Sequence, residues 1–139
     1  MSDCLPCNLE GADPAATIYR DDTWSCEVAD GSEVPGWFVL RLRRHAEGWE
    51  GLIRDEAEGF GVVSQRIANA IQKATGAPTV YFLSFGEKYR HFHFLVIIRP
   101  DDLAPELKGA SILALRATHR DMTAALKTAA KVRSALVAT

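Results

Sequence analysis

The chain has 139 residues, 47% of them hydrophobic and 24% charged, a composition that excludes wholesale disorder and suits one domain, 1–139, with its own core. Lys plus Arg is 16 and Asp plus Glu is 18, and the net charge of −2 argues against a nucleic-acid coat or a surface built for anionic membranes. No apolar run approaches the roughly 18 residues of a membrane span, so no membrane partner is expected.

The chain opens Met-Ser-Asp-Cys, without a basic stretch followed by an apolar one, so no secretory leader is expected. Three cysteines, Cys4, Cys7 and Cys26, do not suggest a disulfide framework. A reducing, cytoplasmic setting is the simplest expectation. Residues 1–16 are rich in turn formers and carry Cys4-Leu-Pro-Cys7, which is a metal or a redox candidate. Segments 17–19 and 23–28 have strand composition and are separated by Asp21-Asp22. Asp30-Gly31 marks a turn in the loop 29–35, and Trp37, Phe38, Val39 and Leu40 predict a stronger strand over 36–42.

The spacing of Phe60, Val63, Ile67, Ala70, Ile71 and Ala74 predicts a helix over 55–75. Asp55, Glu56 and Glu58 lie in its first turns, where the helix dipole favours negative charge, and Gly76 and Pro78 end it. Two strands, 79–84 and 91–98, follow as a hairpin joined by Phe85-Gly86-Glu87-Lys88. A loop over 100–109 leads to a last helix over 118–137, with Thr118 and Asp121 as a capping pair and Met122, Leu126, Ala129, Val132 and Leu136 as its apolar stripe. Strands and helices do not alternate regularly, so the fold class is α+β: an antiparallel sheet of about five strands with helices on one side.

Side chains alternate faces along a strand. In the segment 91–99, Phe92, Phe94, Val96 and Ile98 therefore share the core face, while His91 and His93 lie together on the other with Leu95 and Ile97. Two imidazoles at adjacent positions of one face are hard to explain as packing. Cys26 reads as a packed thiol, His119 as a solvated residue, Trp37 and Trp49 as core or interface residues, and Arg43 and Arg44 as a solvated pair.

Taken in order, Cys4-x-x-Cys7, Pro35-Gly36 opening a strand that ends at Arg43-Arg44-His45, the helix beginning at Asp55-Glu56, and the run from Phe85 to Phe94 closing on His91-Phe92-His93 make a set. It resembles the histidine triad superfamily of nucleotide hydrolases and transferases, including the diadenosine polyphosphate hydrolases, over about residues 4–99. The resemblance implies a histidine triad fold with a central and a C-terminal helix, and a middle histidine, His93, that attacks the α-phosphorus of a nucleotide. His91 would support the site, and Lys88, Glu87 and Asp30 fall in the segments expected to meet the substrate. A structural zinc ion held by Cys4, Cys7, His45 and His91 is implied as well, and so is a homodimer. No nucleic-acid partner is expected.

The sequence departs from the family at three positions. The third histidine of the triad is Leu95, the proline expected before Arg99 is Ile98, and the acidic or amide residue expected at the ribose falls at Ala29, with Asp30 one position on. Leu95 can neither donate a hydrogen bond nor carry charge. It motivates a second expectation, a nucleotide-binding module without turnover, beside the enzyme; a zinc-stabilised interaction protein without a nucleotide is a third. The C-terminal segment 100–139 is expected to shape substrate choice by the same resemblance.

Overall fold

The computed structural model describes residues 3–138. Five strands form one antiparallel sheet in the order β1-β2-β3-β5-β4: β1 (Thr17–Arg20), β2 (Trp24–Glu27), β3 (Trp37–Leu42), β4 (Thr79–Leu83) and β5 (His93–Arg99). One helical turn, α1 (Leu5–Asn8), precedes the sheet; α2 (Arg54–Thr75) connects β3 to β4, and α3 (Met122–Val137) closes the chain. Among the described residues no helix is long and apolar enough to cross a membrane.

Alternation along the strands divides the side chains between two covered faces. Phe38, Leu40 and Leu42 of β3 and Val96 of β5 meet Val63, Ile67, Ala70 and Ile71 of α2 and Ala125, Ala129, Val132 and Leu136 of α3. Cys26 is fully buried in the same core, as its apolar neighbours in the sequence imply. The two long helices thus lie on one side of the sheet. The opposite face is covered as well, by the two ends of the chain. Ile112 packs on Trp37 and Ile97 there, and Leu9 packs on Ala29 and Val39. The face that carries the histidines is therefore not a solvent face.

The start of α2 follows its sequence. Glu56 accepts a hydrogen bond from the Ile53 N–H at 2.9 Å and an ion pair from Arg44 at 2.7 Å. Gly76 takes the left-handed conformation, φ +72°, that ends the helix.

Other boundaries differ from the sequence reading. The last helix starts at Met122 because Asp121, in extended backbone, caps it by accepting from the Ala124 N–H at 3.0 Å; Thr118 instead pairs its hydroxyl with the His119 ring. The stretch 109–117, unassigned by periodicity, is a run of 3₁₀ helix. Strand β5 begins at His93, so the hairpin connection is longer than four residues, and His91 makes only an isolated bridge to Glu47. Trp49 is not a core residue. It is 56% exposed and lies edge-on to Phe60 and Phe92. Arg43 and Arg44 lie at the surface as expected, and each also holds a glutamate, Glu10 and Glu56 respectively.

Candidate functional site

Two neighbouring constellations occupy the face of the sheet opposite the helices. The first is a cluster of four metal-type donors. Cys4 and Cys7 come from either end of the turn of α1, His45 from the segment after β3, and His91 from the approach to β5; their donor atoms all lie within 4.8 Å of one another. Sγ of Cys7 is 3.2 Å from Nδ1 of both His45 and His91, and Sγ of Cys4 is 3.4 Å from Nδ1 of His91 and 3.7 Å from that of His45.

The bond lengths of a tetrahedral zinc site, about 2.3 Å to sulfur and about 2.1 Å to nitrogen, set each sulfur about 3.6 Å from each nitrogen. The observed spacings bracket that value, so the donor set fits such an ion. The outer contacts fit it too. Nε2–H of His91 donates to the Leu42 carbonyl at 2.6 Å, which leaves Nδ1 with its lone pair toward the thiols. Burial holds the His91 ring below the usual histidine range, against the opposing pull of the Leu42 carbonyl, which favours the neutral form that a metal ligand needs. Burial, together with the Cys4 thiol, pushes Cys7 up to about 11. A cation among these donors favours the thiolate instead.

The turn that carries the cysteines is fixed by charge. Arg41 on β3 and Glu27 on β2 form an ion pair at 2.7 Å with both side chains fully buried. A second guanidinium nitrogen of Arg41 reaches Glu10, just after the turn, and Arg43 also holds Glu10 at 3.1 Å. Burial raises the Glu10 carboxyl, but the hydrogen bonds from Arg43 and Arg41 outweigh it and bring it to about 2.

The second constellation is a cavity of about 400 Å³, within the range of small-molecule sites. His93, Lys88, Glu87 and Asp30, named from the sequence, all line it, and so does Leu95. His91 does not. Its connection to the cavity runs through its backbone: Nδ1–H of His93 donates to the His91 carbonyl at 2.6 Å. A carbonyl accepts only, so in the neutral form of the His93 ring the proton sits on Nδ1 and the lone pair on Nε2. The Ser84 hydroxyl donates to the His93 carbonyl at 2.7 Å, and the Tyr89 ring stands edge-on to the imidazole with centroids 6.3 Å apart.

Gly86 takes a left-handed conformation, φ +68°, in the connection that brings Glu87 and Lys88 to the rim. The Lys88 ammonium lies 5.4 Å from the Tyr89 ring centroid. Ala29 is buried under Leu9 and takes no part, whereas Asp30 is exposed at the rim. Trp49 does not line the cavity. Leu5, between the two cysteines, does, so one wall belongs to the same turn as the metal-type donors. Arg116 also lines the cavity and was not singled out from the sequence, where an exposed arginine in a non-periodic stretch carries no signal.

No family model matches the chain, and no curated protein sequence matches it. Solved structures do. A zinc-bound histidine triad family protein from Mycobacterium smegmatis superposes with a TM-score of 0.69 at 20% identity, over 97% of this chain and 94% of the other. A hypothetical histidine triad nucleotide-binding protein from Sulfolobus tokodaii superposes with a TM-score of 0.75 at 13% identity, over 97% and 93%. The fold is that of the histidine triad proteins. A diadenosine triphosphate hydrolase from Plasmodium falciparum shares it at 11% identity, with a TM-score of 0.67 over 91% of this chain and 80% of that one. The α+β class and the sheet with a central and a C-terminal helix, expected from the residues, are the architecture found.

Proposed function

We propose that the chain is a nucleotide hydrolase or nucleotidyl transferase of the histidine triad kind, with His93 as its nucleophile. The observation that carries this reading is the His93 ring: it lines a cavity of ligand size with Nδ1–H committed to the His91 carbonyl. A neutral imidazole with a directed Nε2 lone pair is what in-line attack on phosphorus requires. Nε2 attacks the α-phosphorus, a P–N bond forms, and the bond to the leaving group breaks: a phosphate leaves as the anion, and an amine leaves after its nitrogen takes a proton from solvent. Water or another acceptor then attacks the same phosphorus. The imidazole leaves, and the acceptor's proton passes to solvent. Lys88 offsets charge on the phosphate oxygens. Glu87 and Asp30 are acceptors for hydroxyl groups of the substrate, since a carboxylate repels phosphate.

Cys4, Cys7, His45 and His91 would hold a structural zinc ion, as the donor spacing and the zinc-bound structural neighbour from Mycobacterium smegmatis support. With four protein ligands that ion has no open position, so it would fix the turn of α1 and take no part in the chemistry. A homodimer is consistent with β4 at the edge of the sheet, where a second copy can pair. Light scattering tests it.

The deciding experiment is intact-mass spectrometry after brief incubation with adenosine 5′-phosphoramidate or a diadenosine polyphosphate, quenched in alkali. A nucleotidyl adduct on His93 is expected, and His93→Ala abolishes turnover while leaving nucleotide affinity largely intact. Leu95 in the cavity wall favours a second reading, a nucleotide-binding module without turnover. Tight binding without adduct or product selects that reading and removes the first.

A further inference from the structure

Strand register gives the spacing of the rows of side chains on this face of the sheet. Arg41 pairs with His93, Val39 with Leu95, and Trp37 with Ile97, and paired residues point to the same face. Three rows therefore run along the sheet: His93 in the first, the apolar pair Val39 and Leu95 in the second, Trp37 in the third. Four residues of extended chain separate the first row from the third, about 13 Å. The Trp37 ring is covered by Arg116, whose guanidinium carbon lies 5.6 Å from the ring centroid.

Arg116 is held but not neutralised. Its Nε–H donates to the Ser32 hydroxyl at 3.0 Å. Among the described residues no carboxylate pairs with it and neither terminal nitrogen has a protein acceptor, whereas Arg41, Arg43, Arg44 and Arg120 each hold a glutamate. A guanidinium fixed by a hydroxyl and an aromatic face, with its terminal N–H groups still to satisfy, is pre-organised for a bidentate oxyanion. Its place in the cavity puts it beyond the apolar middle from the end where His93 and Lys88 would take a phosphate.

We propose that Arg116 binds a second anionic group of the ligand, so that the cavity selects a nucleotide carrying a phosphate or carboxylate on its nucleoside side. The inference rests on the nucleotide reading above and goes beyond it, because it names the substrate class and the residue that chooses it. The oxyanion can sit on the sugar or on the base, and the choice of probes separates the two.

The test is calorimetric binding of three probes to the wild-type protein: 5′-AMP, adenosine 3′,5′-bisphosphate, and an AMP whose base amine carries a dicarboxylate. One doubly anionic probe is expected to bind at least about tenfold more tightly than AMP, as one charge-assisted pair allows. Arg116→Gln removes that advantage and leaves AMP affinity within about twofold; Arg116→Lys restores part of it. A role confined to covering Trp37 would lower the melting temperature of the free protein and leave the ratio of affinities unchanged. An unchanged ratio in Arg116→Gln, or a wild type that prefers neither doubly anionic probe, overturns the inference alone. Failure of wild type to bind any of the three overturns the nucleotide reading with it.

Discussion

The carbonyl oxygen of His91 holds the ring of His93, 2.6 Å from Nδ1, while the His91 ring itself turns away to the two cysteines. One dipeptide step thus links the metal-type cluster to the cavity. A ligand that binds the folded chain and not the unfolded one stabilises it by mass action, about 4 kcal/mol at a thousandfold excess over its dissociation constant. Stripping metal from the purified protein with a strong chelator is expected to lower the melting temperature by roughly 10 °C. Added zinc restores it, and His45→Ala abolishes the response. Scanning calorimetry checks this, and an unchanged transition after chelation would remove the metal site.

Leu95 lines the same cavity one row from His93, where it offers only methyl groups. Losing a transition-state donor costs on the order of 10²–10³ in rate. Leu95→His is therefore expected to raise kcat on a diadenosine polyphosphate at least about tenfold with a small change in KM. Steady-state kinetics read it, and an equal or slower variant would mean that Leu95 is not the handicap.

Glu27 and Arg41 are both fully buried, so each depends on the other. Removing one partner of such a pair costs about 3–5 kcal/mol, whereas replacing both with apolar residues costs far less. Arg41→Met or Glu27→Gln alone should lower the urea midpoint sharply, and the double change Glu27→Leu with Arg41→Met should recover much of the loss. Additive losses would show that the pair is not coupled.

Acid has a defined effect through Glu10. Its carboxyl stands at about 2, below its ordinary 4.5, because Arg43 and Arg41 favour the ionised form over the opposing effect of burial. The unfolded chain binds this proton first. The stabilisation is complete above about pH 4.5 and is lost as the pH falls toward 2. Glu56, lowered chiefly by Arg44, acts in the same direction. Urea midpoints between pH 6 and pH 2.5 should fall, and Glu10→Gln should flatten the lower part of that slope. The effect is modest because the Glu10 side chain is 38% exposed.

Residues whose partners lie on one helix or in one strand pair were legible in the sequence. The apolar positions of α2 follow a single period, and Val63, Ile67, Ala70 and Ile71 are buried where that period puts them. The alternation from Phe92 to Ile98 likewise assigned the helix-facing side. Contacts between distant segments left weaker traces. The stretch 109–117 has no 3.6-residue period because it is 3₁₀ helix, and its value lies in meeting Trp37 and Ile97. Arg43 looks like any exposed cation until Glu10 is folded against it. His91 and His93 share a strand-like pattern, yet β5 starts after His91 and their rings serve different neighbourhoods.

The two walls of the cavity that carry Leu5 and Arg116 come from opposite ends of the chain. During synthesis the first of these is added about 110 residues before the second, roughly 5–20 s at ordinary elongation rates. A nascent chain can pair β1 with β2 and wind α2 in that interval, but the cavity stays roofless until Arg116 has been added.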